Sequence, residues 1–168
     1  MKNLILIILL FLSLSVIAQK DTTSKTSRIT ASCKLGSFSG SISPNSNVNG
    51  RAINPQVSFG TNVRANVGFM ILRFDTIGQA IDSAKMIYSR IQLGVSFEQE
   101  IGKTNLYVGG AYDVMPNYGG RGIGNMVSMR VGYLIHKTID LSVQSSKMFG
   151  RSPEPSGNLY VFGFGWRF

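Results

Sequence analysis

The sequence is short of the residues that most often carry chemistry: one cysteine, one histidine and eight acidic residues in 168. One cysteine excludes an internal disulfide framework and a Cys-rich metal site. One histidine, His136, excludes a multi-histidine zinc centre. Charged residues make up 15% of the chain, well below the usual share, which argues against an ordinary disordered chain. No apolar run beyond residue 18 reaches the roughly 18 residues of a membrane-spanning helix. What is present is 43% hydrophobic residue, 19 glycines and a basic excess, 17 Lys and Arg against 8 acids, for a net charge of +9. The length suits one domain.

Residues 1–18 have the layout of a secretory signal peptide. Lys2 supplies the positive start, an apolar run extends from Leu4 to Ile17, and Ala18 precedes polar Gln19, Lys20 and Asp21. An uncleaved anchor is the alternative, but the run is short for a span. Residues 19–27 read as a flexible periplasmic leader. Cys33 lies too far beyond the apolar run to be a lipid-attachment cysteine.

The rest of the chain alternates with a period of two. From Ile87 to Glu98, Ile87, Ser89, Ile91, Leu93, Val95 and Phe97 form one face, and Tyr88, Arg90, Gln92, Gly94, Ser96 and Glu98 the other. The C-terminus repeats this, with Tyr160, Phe162, Phe164, Trp166 and Phe168 on one face. Val63 to Phe74 is strand-like, with both faces apolar toward its end. Turn signals divide the chain into eight strands, at 28–42, 52–61, 63–74, 86–99, 104–113, 123–135, 138–148 and 157–168. Long connections fall at 43–51, 75–85, 114–122 and 149–156. Short ones fall near Asn62, at 100–103 and at 136–137.

A half-buried soluble sheet also alternates, so the period alone does not set the environment. Here charged residues occupy the polar face, and aromatics gather at strand ends on the apolar face: Phe59, Phe97, Tyr133, Trp166 and Phe168 toward one end, Tyr112 and Tyr160 toward the other. Apolar-out, polar-in strands with aromatic girdles and alternating long and short connections are the pattern of an outer-membrane barrel. The expected fold is an all-β, eight-stranded antiparallel up-and-down transmembrane barrel.

Over residues 28–168 the chain resembles the small eight-stranded outer-membrane barrels of the OmpA/OmpX type from Gram-negative bacteria. The most specific match is the ending YVFGFGWRF. The resemblance implies that Tyr160, Phe162, Phe164, Trp166 and Phe168 form the signal read by the barrel-insertion machinery, and that the protein resides in the cell outer membrane.

Sites are fewer. Residues 119–124 (GGRGIG) lack the lysine and hydroxyl of a phosphate-binding loop and precede a strand rather than a helix. His136 falls in a short turn with no serine–acid arrangement around it. No catalytic group, metal or cofactor is expected. On the inward face, Arg28, Lys34, Arg64, Arg90, Glu98, Arg130, Asp140 and Arg167 read as a charge network filling the lumen. Arg28, Arg64, Glu98, Asp140 and Arg167 fall toward the periplasmic end, and Lys34, Arg90 and Arg130 higher. Six positive against two negative charges keep open a narrow anion-favouring channel. Arg51, Lys85, Arg121 and Arg151, one in or beside each long connection, are candidates for contact with lipopolysaccharide phosphates. Secretion and the scatter of basic residues argue against nucleic acid. The reading is a non-enzymatic barrel with a structural or surface-interaction role through four extracellular loops. A small channel and a secreted soluble barrel binding an apolar ligand are the alternatives.

Overall fold

A computed structural model describes residues 28–43, 46–77, 87–116, 123–150 and 155–168. The expected signal peptide and leader lie outside these residues, as do Lys85, Arg121 and Arg151. Eight strands follow in chain order: β1 (Arg28–Ser43), β2 (Ser46–Gly60), β3 (Val63–Ile77), β4 (Ile87–Glu100), β5 (Leu106–Pro116), β6 (Ile123–Ile135), β7 (Ile139–Phe149) and β8 (Ser156–Arg167). Each pairs antiparallel with its neighbour in sequence, and β8 pairs with β1 to close the barrel.

The register carries a fixed stagger. Followed strand by strand, it leads from Arg167 through Thr30, Ser58, Asn66, Gly94, Asp113, Met126 and Met148 to Gly157. One circuit therefore advances ten residues along β8, from 167 to 157. Eight strands with this stagger tilt by about 40° and leave an interior that side chains can fill. The circuit also decides which inward residues share a level, and so which can meet.

Alternation determines the two faces of the wall. Leu35, Ile53, Val67, Phe69, Leu93, Val95, Val131, Val143 and the β8 aromatics point outward and are exposed. Gln92, Asn54, Glu98, Asp113 and Asp140 point inward and are buried. A soluble barrel would present the opposite arrangement, so the exposed apolar wall is the feature that marks this sheet as lipid-facing.

Three strands differ from the sequence-based spans by more than one residue. The connection expected at 43–51 is largely strand: β2 begins at Ser46 and pairs with β1 up to Ser43. Its residues are polar on the outward side (Asn47, Asn49, Arg51), because here the wall rises past the apolar belt. Hydrophobic alternation fades there although the backbone ladder continues. β3 runs on to Ile77, and β5 occupies Leu106–Pro116 rather than 104–113. The β6–β7 connection is a three-residue turn, 136–138 rather than 136–137, in which His136 and Lys137 both take positive φ, 49° and 59°, the backbone that tight hairpins require. Thr138 Oγ1 donates to the His136 carbonyl at 3.1 Å.

Candidate functional site

The inner face is stratified. At the end carrying the termini lies a cluster of charge. Glu98 on β4 accepts Nη2 of Arg64 at 3.0 Å and Nη2 of Arg167 at 2.9 Å, and faces Nη1 of Arg130 at 3.1 Å. Asp140 on β7 accepts Nη2 of Arg130 at 2.6 Å, Nη2 of Arg167 at 2.9 Å and the Tyr107 hydroxyl at 2.6 Å. The guanidinium carbons of Arg130 and Arg167 lie 5.0 and 4.9 Å from the centre of the Tyr107 ring, within cation–π range. Arg64 also donates to Thr30 Oγ1 at 3.0 Å and to the Thr61 carbonyl at 2.9 Å. Side chains from β1, β3, β4, β5, β6, β7 and β8 thus meet across the lumen.

Tyr107 needs room to lie in this position, and Gly132 provides it. A Cβ at residue 132 would fall 2.3 Å from the tyrosine ring. The missing side chain on β6 is therefore part of the cluster.

Above the charges is a polar layer. Lys34 Nζ donates to Gln56 Oε1 at 2.5 Å, Asn54 Nδ2 to Gln92 Oε1 at 2.6 Å, and Ser96 Oγ to Asn66 Oδ1 at 3.1 Å. Gln144 Nε2 donates to both Ser128 and Ser146, at 3.0 and 2.9 Å. A cavity of about 10 Å³ remains, lined by Lys34, Gln56, Asn66, Ser128, Arg130 and Gln144 among others. That is room for about one water.

The far end of the lumen is apolar. Phe38, Met70, Leu72, Phe74, Met115, Met126, Met148 and Leu159 are almost wholly buried and pack as one cluster. Phe38 and Phe74 meet edge to face with ring centres 5.8 Å apart. An ion moving along the axis would meet the charge cluster, the polar layer and then this plug.

The eight inward charges therefore separate. Arg64, Glu98, Arg130, Asp140 and Arg167 come together. Arg130, placed higher by sequence, reaches down into the cluster because its guanidinium bonds to Asp140 and Glu98. Arg28 lines the cleft at the mouth, with Thr61, Asn62 and Glu100. Lys34 stays in the polar layer. Arg90 stacks over Tyr88, 4.5 Å from its ring centre, and donates to the Ser89 carbonyl. Tyr107, Thr30 and Asp113 take places on the inner face that the proposed network omitted. Parity was the available signal for Tyr107, which stands between outward Leu106 and Val108.

On the outer wall, Arg51 is a strand residue rather than a loop residue. It stands opposite Arg73 on β3, also outward and exposed. Tyr160, Phe162, Phe164, Trp166 and Phe168 all point outward. Phe168 exchanges backbone hydrogen bonds with Ile29, at 2.8 and 3.4 Å, completing the seam between β8 and β1. Among the described residues, no group of three or more His, Cys, Asp or Glu is placed to hold a metal.

No protein-family model and no curated protein matches the sequence. Solved structures do match the fold. Neisserial surface protein A aligns with a TM-score of 0.60 at 12% identity, over 85% of this chain and 98% of its own. A de novo designed transmembrane β-barrel aligns at 0.57 and 8% identity, over 88% and 100%. Ail, the attachment invasion locus protein of Yersinia pestis, aligns at 0.50 and 12% identity, over 86% and 100%. Shared architecture at such low identity is a likeness of fold.

Proposed function

We propose that this chain, which has the fold of the small eight-stranded outer-membrane barrels, is a non-enzymatic outer-membrane protein that acts through its surface rather than its lumen. The observation that carries this reading is the double closure of the interior, by the Glu98–Asp140 cluster at one end and the Met-rich plug at the other. A sealed interior leaves the outer wall to lipid and the loops at the plug end to partners. An attachment role fits the name of the Ail structure. Arg51 and Arg73 stand side by side and exposed above the apolar belt, where their guanidinium groups are suited in geometry to the phosphates of lipopolysaccharide. The exposed apolar wall argues against a secreted soluble barrel.

The purified protein in a planar lipid bilayer should carry no steady ion current. Reproducible open steps of a single size would overturn the sealed-lumen reading and favour an anion channel.

The C-terminal seam offers a second test. Deleting Phe168 should lower the amount of protein in the outer membrane of cells, because the terminal aromatic belongs to the proposed insertion signal. Folding of the purified chain into detergent micelles should change little, since an interfacial ring is only partly withdrawn from water. Normal assembly of the deletion variant in cells would remove Phe168 from that role.

A further inference from the structure

Four of the seven methionines, Met70, Met115, Met126 and Met148, point into the lumen and are at most 1% exposed. They belong to one packed cluster. Three lie on consecutive strands, and the register places them together: Met126 stands directly opposite Met148 on β7 and directly opposite Asp113 on β5. Met115 is the next inward residue after Asp113. One patch of the inner wall thus joins three thioethers to a carboxylate at the boundary between the polar layer and the plug. Met70 on β3 adds a fourth thioether to the same cluster.

Leucine packs with better-defined rotamers than methionine, and Leu72 and Leu159 already serve in this layer. Thioether sulfur is distinctive in being soft and polarizable, a ligand that selects Cu(I) over hard cations.

Asp113 supplies the second observation. It is 1% exposed and takes part in no ion pair among the described residues. The side chains of Gln92 and Asn66 hydrogen-bond to its carboxylate and Lys34 is its nearby cation, yet the Lys34 ammonium is also held by Gln56. Its Oδ1 accepts no hydrogen bond and leans over Gly94, where a side chain would otherwise sit. A buried carboxylate with one oxygen left without a donor is only partly compensated. A divalent hard ion would require a shell of oxygens, whereas a soft monovalent ion among thioethers would be neutralised by this one charge.

We propose that Met115, Met126 and Met148, with Met70 as a fourth thioether and Asp113 as the adjacent counter-charge, bind a soft monovalent metal ion, Cu(I) or Ag(I), inside the barrel. The ion would sit at the base of the plug, so the site is compatible with a lumen that does not conduct.

The test uses the full chain, folded in detergent, with Cys33→Ser. Cys33 faces outward, and its thiol would take up the same ions. Anaerobic competition against a chromophoric Cu(I) chelator should withdraw one equivalent of Cu(I) per barrel. Met126→Leu with Met148→Leu, close in volume, should abolish that uptake while the barrel stays folded by circular dichroism. Asp113→Asn should weaken it. Failure of the folded parent to compete, or undiminished uptake by the folded double variant, would overturn the proposal. Methyl-labelled methionine spectra of the parent give an answer even if the double variant does not fold. Ag(I) should shift the signals of Met115, Met126 and Met148 and leave that of lipid-facing Met129 in place. A shift confined to Met129 would reject the site.

Discussion

Glu98→Ala should lower the unfolding free energy of the barrel by about 3–5 kcal/mol, the range found when one member of a buried ion pair is removed. Glu98 is the carboxylate on which Arg64, Arg130 and Arg167 converge. Without it, three largely buried guanidinium groups keep Asp140 as the neighbouring carboxylate, and only Arg130 and Arg167 bond to it. Arg64 suffers most, because its remaining hydrogen bonds go to neutral oxygens of Thr30 and Thr61. Glu98→Gln keeps an acceptor and most of the volume and should cost less. Urea titrations of the protein in lipid vesicles measure both. A Glu98→Ala value within about 0.5 kcal/mol of the parent, the range of an unremarkable surface change, would mean that the cluster is open to water. The cluster need not be a net source of stability, since well-packed apolar residues can replace a buried ion network without loss. Its consequence for function is to join seven strands across the lumen and obstruct it.

Leu93→Arg should destabilise the inserted barrel by about 2–4 kcal/mol, the cost of a basic side chain on the lipid face near the bilayer midplane. Leu93 points outward and stands between Val67 on β3 and Val114 on β5. The alternation alone suggests its inward neighbour Gln92 as a tolerant comparison. The structure removes that option: Gln92 is fully buried and accepts a hydrogen bond from Asn54, so arginine there would be overpacked. Ser89 is the better comparison, on the same strand and outward face but beside the polar upper wall, opposite Ile71 and two residues before Ile91. Ser89→Arg should cost no more than about 1 kcal/mol, since the penalty falls toward the interface. Equal losses at the two positions would reject the depth assigned to this face.

These variants also mark what the sequence made legible. Where one face meets lipid and the other a polar lumen, as at 87–98 and along β8, a period of two reveals strand, face and environment together. Where both sides are alike, the period vanishes. Met70, Leu72 and Phe74 point into the plug while Phe69 and Ile71 point outward, so the end of β3 reads as apolar on both faces. The start of β2 is polar on its outward side, and it resembled a loop. The charged residues of the lumen were legible as inward-facing by parity. Their partners were not, because Arg130 meets Asp140 and Glu98 only through a stagger of ten residues and the reach of a long side chain. Tyr107 was hidden in the same way: its role depends on Gly132, a vacancy on the next strand that composition does not display. The methionine patch likewise depends on register, since Met115, Met126 and Met148 are spread over three strands.

The central claim is that the apolar face of this sheet is turned outward into lipid. Trp166 reports on it directly, being the single tryptophan of the chain and lying on the outward face of β8 between Ala31 and Ile139. The measurement is its fluorescence in vesicles containing lipids brominated at defined depths. The account predicts emission at short wavelength and quenching strongest for bromines near the headgroup end of the acyl chains, where interfacial aromatic rings reside. Emission at the wavelength of tryptophan in water, unchanged by bromine at every depth, would contradict it.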